Sequence, residues 1–423
     1  MKQIWRTTGG AVVLAAGATG AFGGEITVYC QDIAVGCAAL GPVVESFEAA
    51  NPGDKVILET VNYQTILESL PIQLESGSGP DAAIITDMSG LTRYYLDLSP
   101  YAEDAAALRA DYEPLLAWLR GKDPDSAAIN GIPLSMTVNG AYVNATLFEQ
   151  AEVDMPAEGA SWEDWAAATR KVADATGVPF PMEFDRSGHR FASLAISYGA
   201  QLVDADGRPV VDEGLKAAIE QFVQWHEDGT MPMDLWGAVG GSAHRELFSD
   251  FVNAETVFYF GGSWTIGQMD AEVDDLFDWR VVPTPCGPSS CTAMPGGSAL
   301  AGFNTSDNPE LTGRFLTYLA QPEQIAKIDI HAKELPTSQT LIQQGLDYPD
   351  ASEKTQEALD VFLAQVPKMA DTAYRFQGWS YQRAMMNAMT TRISQVLNDE
   401  LDVEDALMRI KQDVETAIQA AEG

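Results

Sequence analysis

An α/β protein of two discontinuous lobes around a central ligand cleft is the fold class this sequence predicts, and three observations carry it. Residues 26–86 alternate short β-branched runs with apolar-periodic stretches in a β-α-β-α-β order, the mark of a layered sheet. The 423 residues hold no repeat and no low-complexity linker, so the lobes are joined by extended crossings. Three extended segments, residues 135–139, 264–267 and 330–335, are the candidate crossings. Clefts between α/β lobes are where ligands sit.

Taken in order, residues 26–29 form a strand and residues 40–50 a helix that stops at Asn51-Pro52-Gly53. A strand over 55–61, a helix over 64–75 and an apolar, buried strand over 82–86 complete the first unit. Further strands are expected at 134–138, 140–143, 257–260, 279–282 and 299–303. Ser161 and Asp164 make a capping box for a helix to Ala175 that stops at Gly177. Asp212 caps a helix to His226, closed by Gly229, and His226 reads as a solvated cap with its imidazolium favoured by the helix dipole. Trp379 starts a long helix to about Asn398, and Val403 starts the terminal one. The expected division is residues 24–136 with 267–330 in one lobe and 137–266 with 331–423 in the other.

Residues 1–23 read as a cleaved leader: Lys2 and Arg6, a short apolar stretch, then Ala21-Phe22-Gly23 before the cut. The apolar stretch is shorter than the roughly 20 residues that span a bilayer. No Cys follows the cut, so export without a lipid anchor is expected. Against 61 acidic residues stand 25 basic ones, a formal charge of −36, which argues against nucleic acid and anionic lipid as partners. Cys30 and Cys37 lie close together, as do Cys286 and Cys291. Four cysteines allow three pairings; two local disulfides are the simplest, and a zinc site is the rival.

Catalytic signatures fail one by one. There is no phosphate-binding Gly-rich loop, no dinucleotide fingerprint and no nucleophile elbow. The four histidines have no metal-ligand spacing. No cofactor and no metal is expected, and the weight moves from enzyme to binder. Gly261-Gly262 ends a strand and places Trp264 at the next helical turn, with core packing as the plainer role for that Trp. Tyr374, Arg375, Phe376, Trp379 and Tyr381 crowd one segment more densely than packing requires. Flat aromatic faces beside carboxylates, amides and arginines suit a sugar ring and its hydroxyls. Gln31-Asp32 and Asp87 follow strands 26–29 and 82–86, where an open sheet meets its ligand. Asp185, Arg186, His189 and Arg190 form a further polar cluster.

The chain resembles the extracellular solute-binding proteins of ATP-binding-cassette importers, in the carbohydrate-binding group that includes maltose-binding protein. Phe47-Glu48-Ala49-Ala50-Asn51-Pro52, Gly79-Pro80-Asp81, Gly131-Ile132-Pro133, Ser161-Trp162-Glu163-Asp164, Tyr198-Gly199-Ala200 and Gly261-Gly262-Ser263-Trp264 carry the likeness, in that order. The resemblance implies a periplasmic-binding-protein fold that closes on a sugar. By position it implies stacking by Trp264 and Trp379 and polar contacts from Gln31, Asp32, Tyr63, Asp87, Ser89, Ser187, His189, Gly297 and Arg375. It also implies a monomer in the periplasm that delivers a carbohydrate to permease subunits. A polyamine or phosphorylated-polyol binder of the same fold, and a secreted glycoside hydrolase, are the alternatives.

Overall fold

The computed structural model describes residues 23–31, 35–113, 115–121, 123, 126–238, 245, 247–273 and 276–422. The expected leader therefore lies outside the described residues but for Gly23. Eight strands run in order: β1 (Glu25–Cys30), β2 (Lys55–Thr60), β3 (Ala82–Ile85), β4 (Ile132–Asn144), β5 (Phe180–Phe184), β6 (Thr256–Gly262), β7 (Trp279–Val282) and β8 (Pro295–Gly302). They join as β2-β1-β3-β8-β4-β6-β5, with β7 also on β4. The first unit is the parallel β-α-β-α-β layer read from the sequence, β1 pairing with β2 and β3.

β4 makes the architecture two-sided. Its first half, Ile132 to Val138, pairs with β8; its second half, Asn139 to Asn144, pairs with β6 and β7. The sequence suggested two strands here, broken before Gly140. The chain instead runs straight through, because Gly140 answers a packing demand: a β-carbon there would lie 2.5 Å from the Phe362 ring. β5 was not foreseen, since Pro181 reads as a turn. It lies at the end of the strand order and pairs only with β6, where a missing N–H is tolerated.

Two apolar cores follow from this strand. One gathers residues 26–134 with 299–341; the other gathers 138–294 with 335–414. The division differs from the expected boundary at residue 267. Met269, Val273, Phe277, Trp279 and Val281 pack in the second core, because β7 is built on the second half of β4. At the third crossing Ala332 belongs to the first core and Leu335 to the second, and Leu335 bridges to Met136 of β4.

Local signals hold in detail. Ser161 accepts from the Asp164 N–H and Asp164 from the Ser161 N–H, opening helix Trp162–Thr176, which ends on left-handed Gly177. Asp212 caps helix Glu213–Glu227. His226 corrects the sequence reading. It is buried, its Nδ1 bonds the Phe222 carbonyl, and burial pushes its pKa down to about 4, so it is a neutral core residue and no solvated cap. The long helix expected from Trp379 is found from Gln382 to Leu397, three residues later, and Trp379 lies in the turn that follows a short helix, Asp371–Gln377. Disulfides join Cys30 to Cys37 and Cys286 to Cys291, with Cα separations of 5.2 and 3.9 Å. Among the described residues no helix is long and apolar enough to cross a membrane.

Candidate functional site

Between the two cores, alongside β4 and β8, lies a cleft lined by residues from both halves. The first half contributes the carboxyl ends of its strands: Gln31 after β1, and Ile84 and Thr86 at the end of β3. Tyr63 joins them, its hydroxyl 2.8 Å from that of Thr86. The strands also supply Ser135 and Thr137 of β4 and Gly296, Gly297 and Ser298 of β8. Gly297 has φ +151°, and a β-carbon there would sit 2.2 Å from the Ser135 carbonyl oxygen. The two strands can thus press together beside the ligand space only without a side chain at that position.

Trp264 forms a braced wall in the second half. β6 ends in Gly261-Gly262, and the indole folds back so closely that a β-carbon on Gly262 would lie 1.9 Å from it. The Arg190 guanidinium covers the ring at 4.0 Å from its centroid, a cation–π contact. Arg190 is itself fixed: its Nε and one terminal nitrogen donate to the same Asp185 oxygen at 3.1 and 2.8 Å. Asp185 also accepts from the Leu247 N–H and the Tyr259 hydroxyl. Ring, cation and carboxylate form a stack on the second core, and the half-exposed indole lines the cleft.

Helix Gly188–Ser197 begins at the cleft. Ser187 caps it by accepting from the His189 N–H. His189 Nε2–H donates to the Pro295 carbonyl at 3.0 Å, which leaves Nδ1 as an acceptor with no protein partner. Burial above all, and the neighbouring Arg190 charge, push its pKa down to about 3, so the ring is neutral. Gln377 and Arg383 line the same wall. The Arg383 Nε is buried without a partner, and the arginine's charge reaches both His189 and Asp87.

Glu334 lines the cleft from the third crossing. It is 1% exposed, and neither carboxyl oxygen has a partner. Burial pushes its pKa up to about 8. Two contacts join the halves nearby in sequence: Ser89 Oγ donates to the Trp379 carbonyl at 3.0 Å, and Trp118 stacks on Tyr374 with centroids 6.3 Å apart.

Of the residues expected to touch ligand, Gln31, Tyr63, Ser187, His189, Trp264 and Gly297 come together at this cleft. Asp32 lies outside the described residues. Asp87, Ser89, Trp379 and Arg375 are not among the lining residues. The Asp87 carboxyl group is buried beside the Gly90 backbone of its own turn, with Oδ1 left without a partner. Ser89 is spent on the contact between the halves. Trp379 is 8% exposed; its indole N–H donates to the Gly207 carbonyl at 2.9 Å and its ring packs on Phe376 and Tyr381. Arg375 points outward to the Val203 carbonyl. Sequence reading missed Thr137, Glu334, Gln377 and Arg383. The last two lie in or just after the aromatic-rich segment that drew attention to Trp379.

The sequence family described as bacterial extracellular solute-binding protein matches residues 35–326. A binding protein of Brucella abortus is 23% identical over 345 residues, covering 76% of this chain and 78% of its own. The arabinooligosaccharide-binding protein of Bacillus subtilis is 22% identical over 303 residues, 67% of this chain and 66% of its own. The GacH receptor of Streptomyces glaucescens, solved unliganded and with acarbose, superposes with a TM-score of 0.76 at 17% identity, covering 92% of this chain and 97% of that one. The likeness to that solved receptor is one of fold.

Proposed function

Because this chain belongs to the family of bacterial extracellular solute-binding proteins, we propose that it is a receptor that closes two lobes on a small carbohydrate. It then presents the sugar to the permease of an ATP-binding-cassette importer. The observation that carries the reading is the Trp264 wall: a flat aromatic plate, braced from behind by a fixed cation, lines a cleft that also presents polar side chains. A sugar ring lays its C–H face on such a plate and gives its hydroxyls to the neutral His189 Nδ1, Thr137 and Gln31. Excluding water strengthens each of those bonds.

The lobes in this reading are residues 23–134 with 299–333 and the short helix Gln339–Gln344, and 138–294 with 335 and 348–414, following the two cores. β4, β8 and the segment around Glu334 are the crossings about which they close. The working form is a monomer released into the periplasm after its leader is cut, and it binds without turning its ligand over. The relative named for arabinooligosaccharides and the neighbour solved with acarbose support the carbohydrate class.

A thermal-shift screen of mono-, di- and oligosaccharides, amino sugars included, beside spermidine and a polyol phosphate, tests the proposal. A tight ligand raises the melting temperature by mass action. A sugar is expected to do so and to be recovered unchanged. A response confined to spermidine or the polyol phosphate, or conversion of the sugar to product, refutes it.

A further inference from the structure

Glu334 is an anomaly in a cleft for neutral sugars. The chain leaves helix Pro322–Ala332 through left-handed Lys333 (φ 53°), and the next residue turns inward. The result is a carboxyl group 1% exposed, lining the ligand space, with both oxygens bare. A buried carboxylate ordinarily carries a pairing cation or several donors.

The surroundings of Glu334 offer neither. Lys333, its neighbour in sequence, reaches away to Asp270 at 3.0 Å. Asp329, on the same helix, is a second buried acid with both oxygens bare, and it feels the Glu334 charge. The remaining groups coupled to Glu334 are the phenols of Tyr142 and Tyr348, both neutral. Tyr142 donates to the Gly262 carbonyl and Tyr348 to the Glu334 main-chain carbonyl, so neither hydroxyl proton is given to the carboxyl group. Of the cleft's cations, Arg190 is held by Asp185, and the charge of Arg383 acts on Asp87 and His189; neither pairs with Glu334. Among the described residues, no cation pairs with either Glu334 or the buried Asp329 behind it.

We propose that Glu334 receives a ligand ammonium group, so that the cleft prefers a sugar carrying a free amine over the corresponding neutral sugar. This inference rests on the carbohydrate-receptor reading and narrows its substrate class. Burial keeps Glu334 protonated in the empty cleft, so a neutral sugar meets it as one more hydroxyl group, whereas an ammonium stabilises the carboxylate and the acid proton leaves to solvent. An ammonium supplies both hydrogen bonds and charge, and charge-assisted bonds of this kind are roughly twice as strong as neutral ones. Trp264 holds the ring while the amine sets its orientation. An N-acetyl group removes the positive charge, so acetylated sugars belong with the neutral ones.

Isothermal titration of the full chain at pH 6.5 tests this. Glucosamine and galactosamine, and the β-1,4 disaccharide of glucosamine, are compared with their hydroxyl and N-acetyl counterparts, with spermidine as an amine that lacks a ring. At least one amine form is expected to bind about tenfold or more tighter than both counterparts, about 1.4 kcal/mol. In Glu334→Gln, checked for fold by circular dichroism, that ratio is expected to fall to near one. Equal affinities in the wild-type chain overturn the inference and leave the sugar reading standing. A preference that survives Glu334→Gln removes the role given to Glu334. Spermidine binding as tightly as the best amino sugar, or no sugar binding at all, overturns the carbohydrate reading together with the inference.

Discussion

Replacing Trp264 by alanine separates a ligand-facing aromatic from a core aromatic, because Trp379 serves as its control in the same chain. Trp264 is half-buried and lines the cleft with a guanidinium behind it. Removing it takes away the stacking plate but leaves the Arg190–Asp185 pair with its other partners, Leu247 N–H and Tyr259 hydroxyl, in place. An aromatic anchor at the centre of a binding site is worth about 2 kcal/mol or more when truncated. At about 1.4 kcal/mol per tenfold, Trp264→Ala is therefore expected to raise the ligand Kd roughly 30-fold.

Trp379 has the opposite profile: 8% exposed, its N–H spent on the Gly207 carbonyl, its ring against Phe376 and Tyr381. Trp379→Ala opens a core cavity and is expected to cost about 3–5 kcal/mol of stability. The Ser89 hydroxyl donates to the Trp379 main-chain carbonyl, which alanine keeps, so binding by the folded variant is expected to change little. Calorimetric titration with the best sugar, beside urea unfolding, reads both quantities for both variants. If Trp264→Ala binds within threefold of wild type, the wall is a packing feature and the site assignment fails. If Trp379→Ala keeps its stability and loses binding, the stacking role belongs to Trp379.

Three further outcomes follow from the same geometry. Asp185→Asn strips Arg190 of its buried counter-charge and is expected to cost about 3–5 kcal/mol in urea unfolding, with weaker sugar binding because the brace behind Trp264 loosens; unchanged stability refutes the buried pair. The Cys30–Cys37 bridge closes the stretch that carries Gln31 and Val35 into the cleft, so Cys30→Ser with Cys37→Ser is expected to lose about 2 kcal/mol of stability and to bind sugar several-fold more weakly; wild-type affinity removes the loop from the site. Burial chiefly, with the nearby Asp250, Asp185 and Glu255 charges, pushes Glu183 up to about 9, so the fold keeps a proton that the unfolded chain releases. That contribution is complete below about 4.5, the ordinary glutamate value, and is lost as pH rises through 9. Glu183→Gln is expected to flatten the fall in melting temperature between pH 7 and 10, and parallel profiles for the two proteins refute the shift.

The sequence was most informative where the deciding forces are local. The capping box at Ser161 and Asp164 is a pair of hydrogen bonds three residues apart, and the helix begins at Trp162 where those bonds place it. The short cysteine spacings led to two local bridges. Strand ends that carry Gln31 and a double glycine that presents Trp264 are legible for the same reason: each is a short stretch of backbone with one demand on it. Readings failed where a partner distant in sequence decided the outcome. Gly140 looked like a break because the Phe362 ring that requires it lies more than 200 positions away. His226 is a different kind of failure: its place near a helix end outweighed the apolar stripe of Leu215, Ile219, Phe222 and Val223, which continues through it.

Trp379 and Glu334 mark the deeper limit, since a binding site is defined by which polar groups are left unspent after folding. The aromatic density around Trp379 is real, but the Gly207 carbonyl and the Ser89 hydroxyl consume the two groups it could have offered a ligand. Glu334, by contrast, stands in an unremarkable Lys-Glu-Leu run, where a charged pair reads as surface. Lys333 bends away to Asp270, and Glu334 is carried inward alone. Its exposure and bonding depend on the Lys333 turn, on Asp329 five residues earlier and on β4 far upstream, none of which a local pattern encodes. What marks a ligand-facing group here is a physical remainder: a donor or acceptor that the fold buries and does not satisfy. Among the residues that line the cleft, that remainder is His189 Nδ1, Arg383 Nε, Gln377 Oε1 and both Glu334 oxygens, whereas the Trp379 indole N–H and Ser89 hydroxyl are spent within the fold.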